Sequence, residues 1–212
     1  HELRTPVTSI KGFSETLLDG AMHDTEMMQE FLTIIYNESD RIQNLIEDLL
    51  ALSKLEGDNF RLVLHKINAK QLVESLTPAL QYQAEQKEIT FTTDIEDIEI
   101  KADKDRLSQV IINLVDNAIN YTPEKGKVSL KISKDGKSVK IQVSDTGIGI
   151  PEEELPRIFE RFYRIDKARS RSSGGTGLGL AIVKHIVEVH DGEIHIDSKV
   201  DQGTTITVCL PL

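Results

Sequence analysis

Hydrophobic residues recur at helical spacing through the first quarter of the chain. Between residues 1 and 19 they follow intervals of three, four and seven, which predicts a helix; the positions are Leu3, Val7, Ile10 and Leu17. A heptad rhythm from about residue 25 to residue 55 predicts a second, longer helix. Its apolar positions are Met28, Phe31, Ile35, Ile42, Leu45, Leu49 and Leu52, with the charged Glu38 standing at the one interrupted place.

The two predicted helices form an antiparallel hairpin. Residues 20–24 are expected to be the turn, with Gly20 ending the first helix and Asp24 or Thr25 capping the second. Two helices alone bury too little apolar surface, so we expect two copies of the hairpin to form a dimeric four-helix bundle. A monomeric hairpin packed against its own second domain is the alternative.

Strand-like and helical patterns alternate after residue 57. Gly57, Asp58 and Asn59 break the helical pattern, which predicts a domain boundary between 1–57 and 58–212. Strands are predicted at 61–67, 89–95, 98–102, 127–133, 138–144, 193–199 and 204–210, and helices at 69–87, 104–121, 152–158 and 177–189. We therefore expect an α+β chain, in which the hairpin precedes an α/β sandwich of a mixed sheet and three helices.

Charge and composition exclude several classes of protein. The net charge of -10 argues against nucleic-acid binding, which needs a basic face. The single Cys209 cannot form an internal disulfide, and no run of 18 apolar residues predicts a membrane span in this fragment. Because the chain begins without Met at a residue expected inside a helix, we expect that an upstream helix and a sensor or membrane part are missing.

The first six residues, from His1 to Pro6, combine a histidine, a carboxylate and a hydroxyl. On a helix Thr5 lies over His1, and Glu2 flanks His1 about 100° around the axis. Pro6 removes a backbone donor and clashes with the carbonyl of Glu2, so a kink is expected beside His1. Taken alone, a histidine near a glutamate is more typical of a solvated helix surface than of a catalytic site.

Two glycine-rich stretches lie in the second domain. Residues 145–150 follow a predicted strand, where the Asp145 carboxylate could accept hydrogen bonds from an exocyclic amine such as that of adenine. Residues 174–180 open a predicted helix, whose free N–H groups favour an anion. This second stretch matches neither the P-loop nor the dinucleotide fingerprint, and a merely flexible glycine loop is the alternative.

A basic segment separates the two glycine stretches. Residues 157–171 hold six basic residues against two acidic ones, a net charge of +4 in an acidic protein; the basic residues are Arg157, Arg161, Arg164, Lys167, Arg169 and Arg171. A basic loop that ends at a helix N-terminus suits a lid over a polyphosphate. A solvated loop without a ligand is the alternative.

Two amides lie on one face of the predicted helix 104–121. Asn113 and Asn117 are four residues apart, with Asp116 and Tyr121 close by. An amide oxygen can coordinate Mg²⁺ while phosphate oxygens fill the other positions, and Tyr121 could pack against a base. Asparagines that only solvate a helix are the alternative.

Together these segments resemble the catalytic core of the sensor histidine kinases of two-component systems, over essentially all 212 residues. Five family motifs occur in order. Residues 1–6 resemble the H box, 113–121 the N box, 145–149 the first glycine box, 159–164 the F box and 175–180 the second glycine box. Residues 120–123 and 162–164 look most like those of the phosphate-regulon sensors.

The resemblance implies ATP bound under the lid in a Bergerat-type pocket. It implies Mg²⁺ at Asn117 with support from Asn113, an adenine contact at Asp145 and at Tyr121, and a γ-phosphate contact at Arg164. The other residues expected to shape the pocket and lid are Gly147, Gly149, Ile150, Gly175, Thr176, Gly177, Leu178 and Gly179. Asn120 departs from the family, in which Lys is common there, so its phosphate contact could pass to a lid arginine or to Lys125.

The expected reaction is ATP-dependent phosphorylation of His1 followed by transfer to an aspartate of a response regulator. Glu2 would serve as general base, and Thr5 would orient water in a reverse phosphatase reaction. The expected setting is the cytoplasmic portion of a membrane-anchored bacterial sensor. An ATP-hydrolysing chaperone or topoisomerase-like ATPase needs a carboxylate where Asn113 stands, and a non-catalytic docking module would bind no Mg-ATP; both are alternatives.

Overall fold

The computed structural model describes residues 2–57, 60–165 and 175–212. The chain divides into two compact units. One contains His1–Lys54 together with Arg161–Leu178, and the other contains Leu55–Glu160 together with Gly179–Leu212. His1, residues 58–59 and residues 166–174 lie outside the described residues, as do the predictions made for them.

The first unit is built on the predicted helical hairpin. Helix α1 spans Arg4–Leu18 and helix α2 spans Thr25–Leu55, joined by a short 3₁₀ turn at Ala21–His23. The rings of Phe13 and Phe31 lie 5.0 Å apart, which shows that the two helices pack side by side. Asp24 caps α2, because its Oδ1 accepts hydrogen bonds from the backbone N–H groups of Glu26 and Met27.

The expected kink at Pro6 is wrong for the described residues. Helix α1 begins at Arg4, so Pro6 lies in its first turn rather than in its interior. A first-turn residue has no intrahelical partner for its N–H, and Pro is tolerated there. Pro6 is instead the one buried residue among those of α1.

An ion pair between a buried arginine and a half-buried glutamate occupies the place where the heptad pattern of α2 is interrupted. Arg41 is 5% exposed, and its Nη1 lies 3.6 Å from Oε2 of Glu38 one turn earlier. The sequence pattern marks Glu38 but gives no sign that Arg41 is buried. Leu45 and Leu52 continue the buried stripe along the helix.

The second unit is a mixed sheet with helices packed on it. Its elements are β1 Leu64–Asn68, α3 Ala69–Gln86, β2 Thr90–Ile95, β3 Glu99–Asp103, α4 Lys104–Tyr121, β4 Lys127–Asp135, β5 Ser138–Asp145, α5 Gly179–Val189, β6 Glu193–Lys199 and β7 Gly203–Pro211. Five strands follow the order β2-β4-β5-β7-β6, and β1 pairs with β3 separately. The β2–β4 pair is parallel and the other neighbours are antiparallel, so the predicted mixed sheet is confirmed.

The core lies between the sheet and the helices. Alternate residues of the central strands are fully buried, as the period of two in a strand requires; these include Val128, Leu130 and Ile132 on β4 and Val139 and Ile141 on β5. Helix α4 contacts α3, α5, β4 and β5, so it is the central helix of the layer. Its apolar face, including Leu107, Ile111, Leu114 and Val115, is buried, which leaves the opposite face for polar residues.

Two contacts fix the start of α4. Oδ1 of Asp103 accepts hydrogen bonds from the N–H groups of Asp105 and Arg106, which caps the helix. The backbone N–H of Asp103 donates to Nε2 of the buried His190, whose Nδ1 lies 2.7 Å from the carbonyl oxygen of Ile186. His190 therefore carries its proton on Nδ1 and ties the end of α5 to the start of α4.

Some predicted boundaries need correction. The helix expected at 152–158 is a single 3₁₀ turn at Glu152–Glu154. Helix α5 begins at Gly179 rather than at residue 177, and β1 covers Leu64–Asn68 rather than 61–67. Among the described residues, the structure has no helix with the length and apolar content that a membrane span requires.

Candidate functional site

The polar face of α4 presents amides from consecutive turns. Asn113, Asn117 and Asn120 are spaced by four and three residues, so they share the face opposite the core. Nδ2 of Asn113 donates to the carbonyl oxygen of Gly179 at 3.2 Å, which joins α4 to the first residue of α5. This bond fixes the amide and leaves Oδ1 of Asn113 as an acceptor for a ligand.

These amides fit a metal ion that arrives with a phosphate ligand. The described residues contain no group of three or more His, Cys, Asp or Glu side chains that could hold a metal ion. Asn113 and Asn117 offer amide oxygens, which Mg²⁺ accepts when phosphate and water oxygens complete its octahedron. The donor set therefore suits Mg²⁺ bound together with a nucleotide.

Asp145 closes β5 with one oxygen anchored and the other available. Its Oδ1 accepts hydrogen bonds from the N–H of Gly147 at 2.7 Å and from the N–H of Thr204 at 3.2 Å. Burial raises the pKa of the Asp145 carboxyl, and these two bonds oppose that rise. Within the described part of the chain neither bond uses Oδ2, which can therefore receive a ligand amine.

The loop after Asp145 lies against two neighbouring segments. The N–H of Ile148 donates to the carbonyl oxygen of Tyr121 at 3.2 Å, which brings the end of α4 to this loop. A Cβ on Gly147 would lie 2.5 Å from the Tyr121 carbonyl oxygen, so only glycine allows this approach. The ring of Tyr121 remains exposed beside it.

The other side of the loop contacts the C-terminal end of β6. The N–H of Ile150 donates to Oγ of Ser198 at 2.8 Å. Gly149 has a φ of 67°, and a Cβ there would overlap the carbonyl oxygen of Lys199. Gly203 has a φ of 99°, and a Cβ there would overlap the carbonyl oxygen of Asp145. Sequence reasoning missed Gly203 because its partner is 58 positions away.

The remaining predicted nucleotide residues belong to the first unit. The N–H of Phe162 donates to the carbonyl oxygen of Gly177 at 2.8 Å, which brings these two residues together. A Cβ on Gly177 would lie 3.3 Å from Cγ of Arg164, and one on Gly175 would lie 3.9 Å from Nη2 of Arg164. The structure thus places Arg164 near both glycines, and its role in a lid stays a prediction.

Thr176 is held by helix α2. Its hydroxyl donates to Oδ2 of Asp48 at 2.6 Å and accepts from the N–H of Leu178 at 3.1 Å. Burial raises the pKa of the Asp48 carboxyl, and the Thr176 bond opposes that rise. Nothing in the sequence indicated this contact, because 128 positions separate the two residues.

A cation from α3 lies against the polar face of α4. Nζ of Lys87 donates to Oδ1 of Asn120 at 2.7 Å. Burial lowers the pKa of Lys87, and the charge of Asp116 opposes that change. Burial also raises the pKa of Asp116 to about 6, and the charge of Lys87 opposes that rise. Sequence reasoning noticed Asn120 but did not find Lys87.

The predicted histidine site is described only in part. His1 lies outside the described residues, whereas Glu2 is half-buried and Thr5 is exposed in the first turn of α1. Lys167, Arg169 and Arg171 of the basic segment also lie outside them. The assignments made for these residues stay predictions.

Comparison with known proteins identifies two families along the chain. Residues 1–58 match the His Kinase A (phospho-acceptor) domain, and residues 102–212 match the histidine kinase-, DNA gyrase B- and HSP90-like ATPase family. The sensor histidine kinase WalK of Bacillus subtilis (strain 168) is 38% identical over all of this chain. The chain spans 35% of the length of that relative.

Solved structures agree with this placement. Histidine kinase ThkA, in complex with the response regulator protein TrrA, superposes with a TM-score of 0.80 at 28% identity, covering 100% of this chain and 59% of that one. Full-length ShkA in complex with AMPPNP superposes with a TM-score of 0.74 at 26% identity, covering 98% of this chain and 45% of that one. The finer likeness to phosphate-regulon sensors is not confirmed by these matches.

The two matched domains together cover residues 1–58 and 102–212. The chain belongs to the histidine kinases, of which it is a catalytic core.

Proposed function

We propose that this core is an ATP-dependent autokinase that phosphorylates His1 and relays the phosphoryl group to a response-regulator aspartate. One observation carries the proposal. The close approach that Gly147 permits brings the Asp145 loop to Tyr121, and the same unit holds the Asn113 amide that is fixed by Gly179. That arrangement offers a place for an adenine ring and a metal-bound polyphosphate, and the family match includes the phospho-acceptor segment.

The proposed nucleotide contacts lie along the C-terminal half of α4. At its C-terminal end, Oδ2 of Asp145 accepts a hydrogen bond from the adenine amine, and the exposed ring of Tyr121 packs against the base. One and two turns before Tyr121, Asn117 and Asn113 would hold the metal that neutralises phosphate charge when ATP is bound. Arg164, Gly175, Thr176, Gly177 and Leu178 belong to the lid segment of the first unit.

The transfer step joins His1 to the γ-phosphorus. Nε2 of neutral His1 attacks, an N–P bond forms, and the bond between the γ-phosphorus and the bridging oxygen breaks to release ADP. Glu2 accepts the hydrogen bond or the proton from Nδ1, which raises the nucleophilicity of Nε2. Arg164 neutralises the equatorial oxygens during transfer.

The phosphoryl group then passes from His1 to the carboxylate of a receiver-domain aspartate. The named ThkA–TrrA neighbour supports a partner of this kind. Thr5 is exposed in the first turn of α1, where its hydroxyl is accessible to orient water for the reverse, phosphatase reaction. Thr5 could take this role from its present position in helix α1.

Dimerisation through the hairpin is part of the proposed function. Many large apolar residues of α1, α2 and their turn are exposed; they are Val7, Leu18, Met22, Met27, Leu32, Tyr36, Ile46 and Leu50. A second copy would cover them as a four-helix bundle. We also propose the functional division at 1–57 and 58–212, and a place in a longer membrane-anchored sensor with this core in the cytoplasm.

The proposed reaction is tested by replacing the phospho-acceptor. Full-length protein and its His1→Gln variant are incubated with γ-labelled ATP and Mg²⁺, and label on the protein is followed after acid and after alkali. Acid-labile, alkali-stable label is expected on the parent and none on the variant. Label that survives on His1→Gln at the parental level would overturn the assignment.

The contact of Asn113 argues against the ATP-hydrolysing alternative. Its Nδ2 must donate to the Gly179 carbonyl oxygen, which a carboxylate at this position could not do. An amide also cannot act as a general base for water. Hydrolysis is therefore expected to be poor, and rapid multiple-turnover phosphate release without protein labelling would favour the ATP-hydrolysing alternative.

A further inference from the structure

One ammonium group is fixed on the polar face of α4 by a residue from another helix. Lys87 caps the C-terminal end of α3, and its Nζ lies 2.7 Å from Oδ1 of Asn120. The capping bonds of Lys87 come from its backbone N–H, so the helix end does not require the side chain. The side chain is therefore placed for a reason other than ending α3.

The surroundings of the ammonium hold it without using all its donors. Asp116, one turn before Asn120, attracts the Lys87 charge, and its buried Oδ1 has no hydrogen-bond partner among the described residues. An ammonium has three N–H donors, and the structure shows one of them bound to Asn120. Holding a long side chain in one geometry costs conformational entropy, which a purely solvated lysine avoids.

The same face of α4 carries the amides of the nucleotide site. Asn117 precedes Asn120 by three residues, which corresponds to about 4.5 Å along the helix axis. Asn113 lies one further turn toward Gly179, and Tyr121 lies at the other end beside the Asp145 loop. A polyphosphate that extends from the adenine end toward Asn113 therefore follows the face on which Lys87 is fixed.

We propose that Lys87 is a phosphate-binding residue of the nucleotide site, positioned by Asn120 and Asp116. This inference rests on the proposed function and goes beyond it, because Lys87 is remote in sequence from every glycine and asparagine motif. It also assigns Asn120 a role: its amide oxygen orients a cation supplied by α3. The ligand group that we assign to Lys87 is the β- or γ-phosphate of ATP. AMP carries neither phosphate and therefore serves as the comparison ligand.

The test measures affinities of the 212-residue protein for Mg-ATP, Mg-ADP and AMP by isothermal titration. Loss of one charge-assisted phosphate contact in Lys87→Gln should weaken Mg-ATP binding about tenfold and leave AMP binding within about twofold. Lys70→Gln is the matched control, because Lys70 is exposed on the same helix. Lys125→Gln tests the other lysine considered for this contact.

A second variant distinguishes phosphate binding from a structural role. In Lys87→Ala/Asn120→Lys the ammonium returns on α4 itself while position 87 has no polar side-chain group, and Mg-ATP affinity should recover to within about threefold of the parent. A structural bond between α3 and α4 would not be restored by this exchange. Thermal unfolding of each variant confirms that the fold is retained.

Three outcomes overturn the inference. They are equal losses of ATP and AMP affinity in Lys87→Gln, unchanged ATP affinity, and a loss at Lys125 in place of Lys87. If the parent protein binds no Mg-ATP, the proposed function fails and this inference fails with it. If the parent binds Mg-ATP and Lys87→Gln binds it equally well, only the inference about Lys87 fails.

Discussion

Asp145 shows how a single residue can be costly for folding and useful for binding. Two backbone N–H groups hold its Oδ1, while burial raises the pKa of its carboxyl above the ordinary value of 3.8. A raised folded-state pKa means that stability present below the unfolded-state pKa is lost as the pH rises through the folded value. The ionised carboxylate therefore destabilises the fold at neutral pH.

Replacing Asp145 with Asn should separate these two effects. The Asn Oδ1 accepts the same two N–H bonds without a charge, so the variant should be at least as stable as the parent at pH 7. Its Nδ2 would face the adenine amine, and ATP affinity should fall about tenfold or more. Urea unfolding and isothermal titration measure the two quantities.

The pH dependence supplies the control for this prediction. The stability advantage of Asp145→Asn should shrink as the pH falls from 7 toward 3.8, because the parental carboxyl becomes protonated. A variant less stable than the parent at pH 7 with undiminished ATP affinity would contradict both parts.

Gly203 is required for a close backbone approach, which a matched pair of variants can isolate. In Gly203→Ala the φ of 99° is strained and the new Cβ overlaps the Asp145 carbonyl oxygen. In Gly136→Ala the φ of 62° is strained but nothing lies within 4 Å of the new Cβ. We expect a loss of about 1 kcal/mol at Gly136 and about 3 kcal/mol or more at Gly203 in urea unfolding. Equal losses would show that overlap contributes nothing.

At the scale of the element, α4 depends on contacts at its first turn. Burial alone would raise the pKa of Asp103, but backbone donors from Val63, Arg106 and Asp105 and the charge of Arg106 outweigh burial and lower it. A lowered folded-state pKa gives stability above the unfolded-state value of 3.8, which is lost as the pH falls through the folded value.

Asp103→Ala should therefore destabilise the protein by about 1–2 kcal/mol at pH 7, the usual cost of removing an N-cap. The difference from the parent should shrink in acid, where parental Asp103 is protonated. Asp105→Ala is the control, because Asp105 is exposed and contributes only the helix-dipole effect of about 0.3–1 kcal/mol. A loss at Asp105 as large as that at Asp103 would refute the capping role.

Element types were predictable because apolar spacing encodes them. The period of seven gave α2, and alternation gave the central strands, whose buried positions then followed from the pleat. The predicted helix at 152–158 failed because its sequence continues into turns, with only Glu152–Glu154 completing a 3₁₀ turn. The kink at Pro6 failed because a helix start, which spacing locates only roughly, decides whether a proline is interior.

The candidate site was predictable only where motifs are local. Residue type and spacing were enough to predict the Asn113–Asn117 pair and the Asp145–Gly149 stretch. Lys87, Asp48 and Gly203 did not, because each acquires its role from a partner 33 or more positions away that only the fold brings close. Sequence reasoning from a single chain has no access to such contacts.

At the scale of the whole molecule, the exposed apolar residues of the hairpin predict self-association. Leu32, Tyr36, Ile46 and Leu50 are all exposed on α2 at spacings that keep them on one side. Placing a charge in this stripe with Leu32→Glu should weaken dimerisation about tenfold or more, measured by sedimentation equilibrium.

Tyr82→Glu is the matched control for self-association. Tyr82 is 63% exposed on α3 in the second unit, so a charge there should leave the dimer unchanged. Equal weakening in both variants, or none in Leu32→Glu, would place the dimer contact elsewhere.

The hydrogen bond between Thr176 and Asp48 has a thermodynamic consequence. The Thr176 hydroxyl has one proton, and while Asp48 accepts it no phosphate oxygen can. A ligand of the first unit that claims that proton competes with helix α2 for a single donor. Reciprocity then fixes the relation between the two: the factor by which such a ligand weakens the bond between Thr176 and Asp48 equals the factor by which that bond weakens the affinity for the ligand.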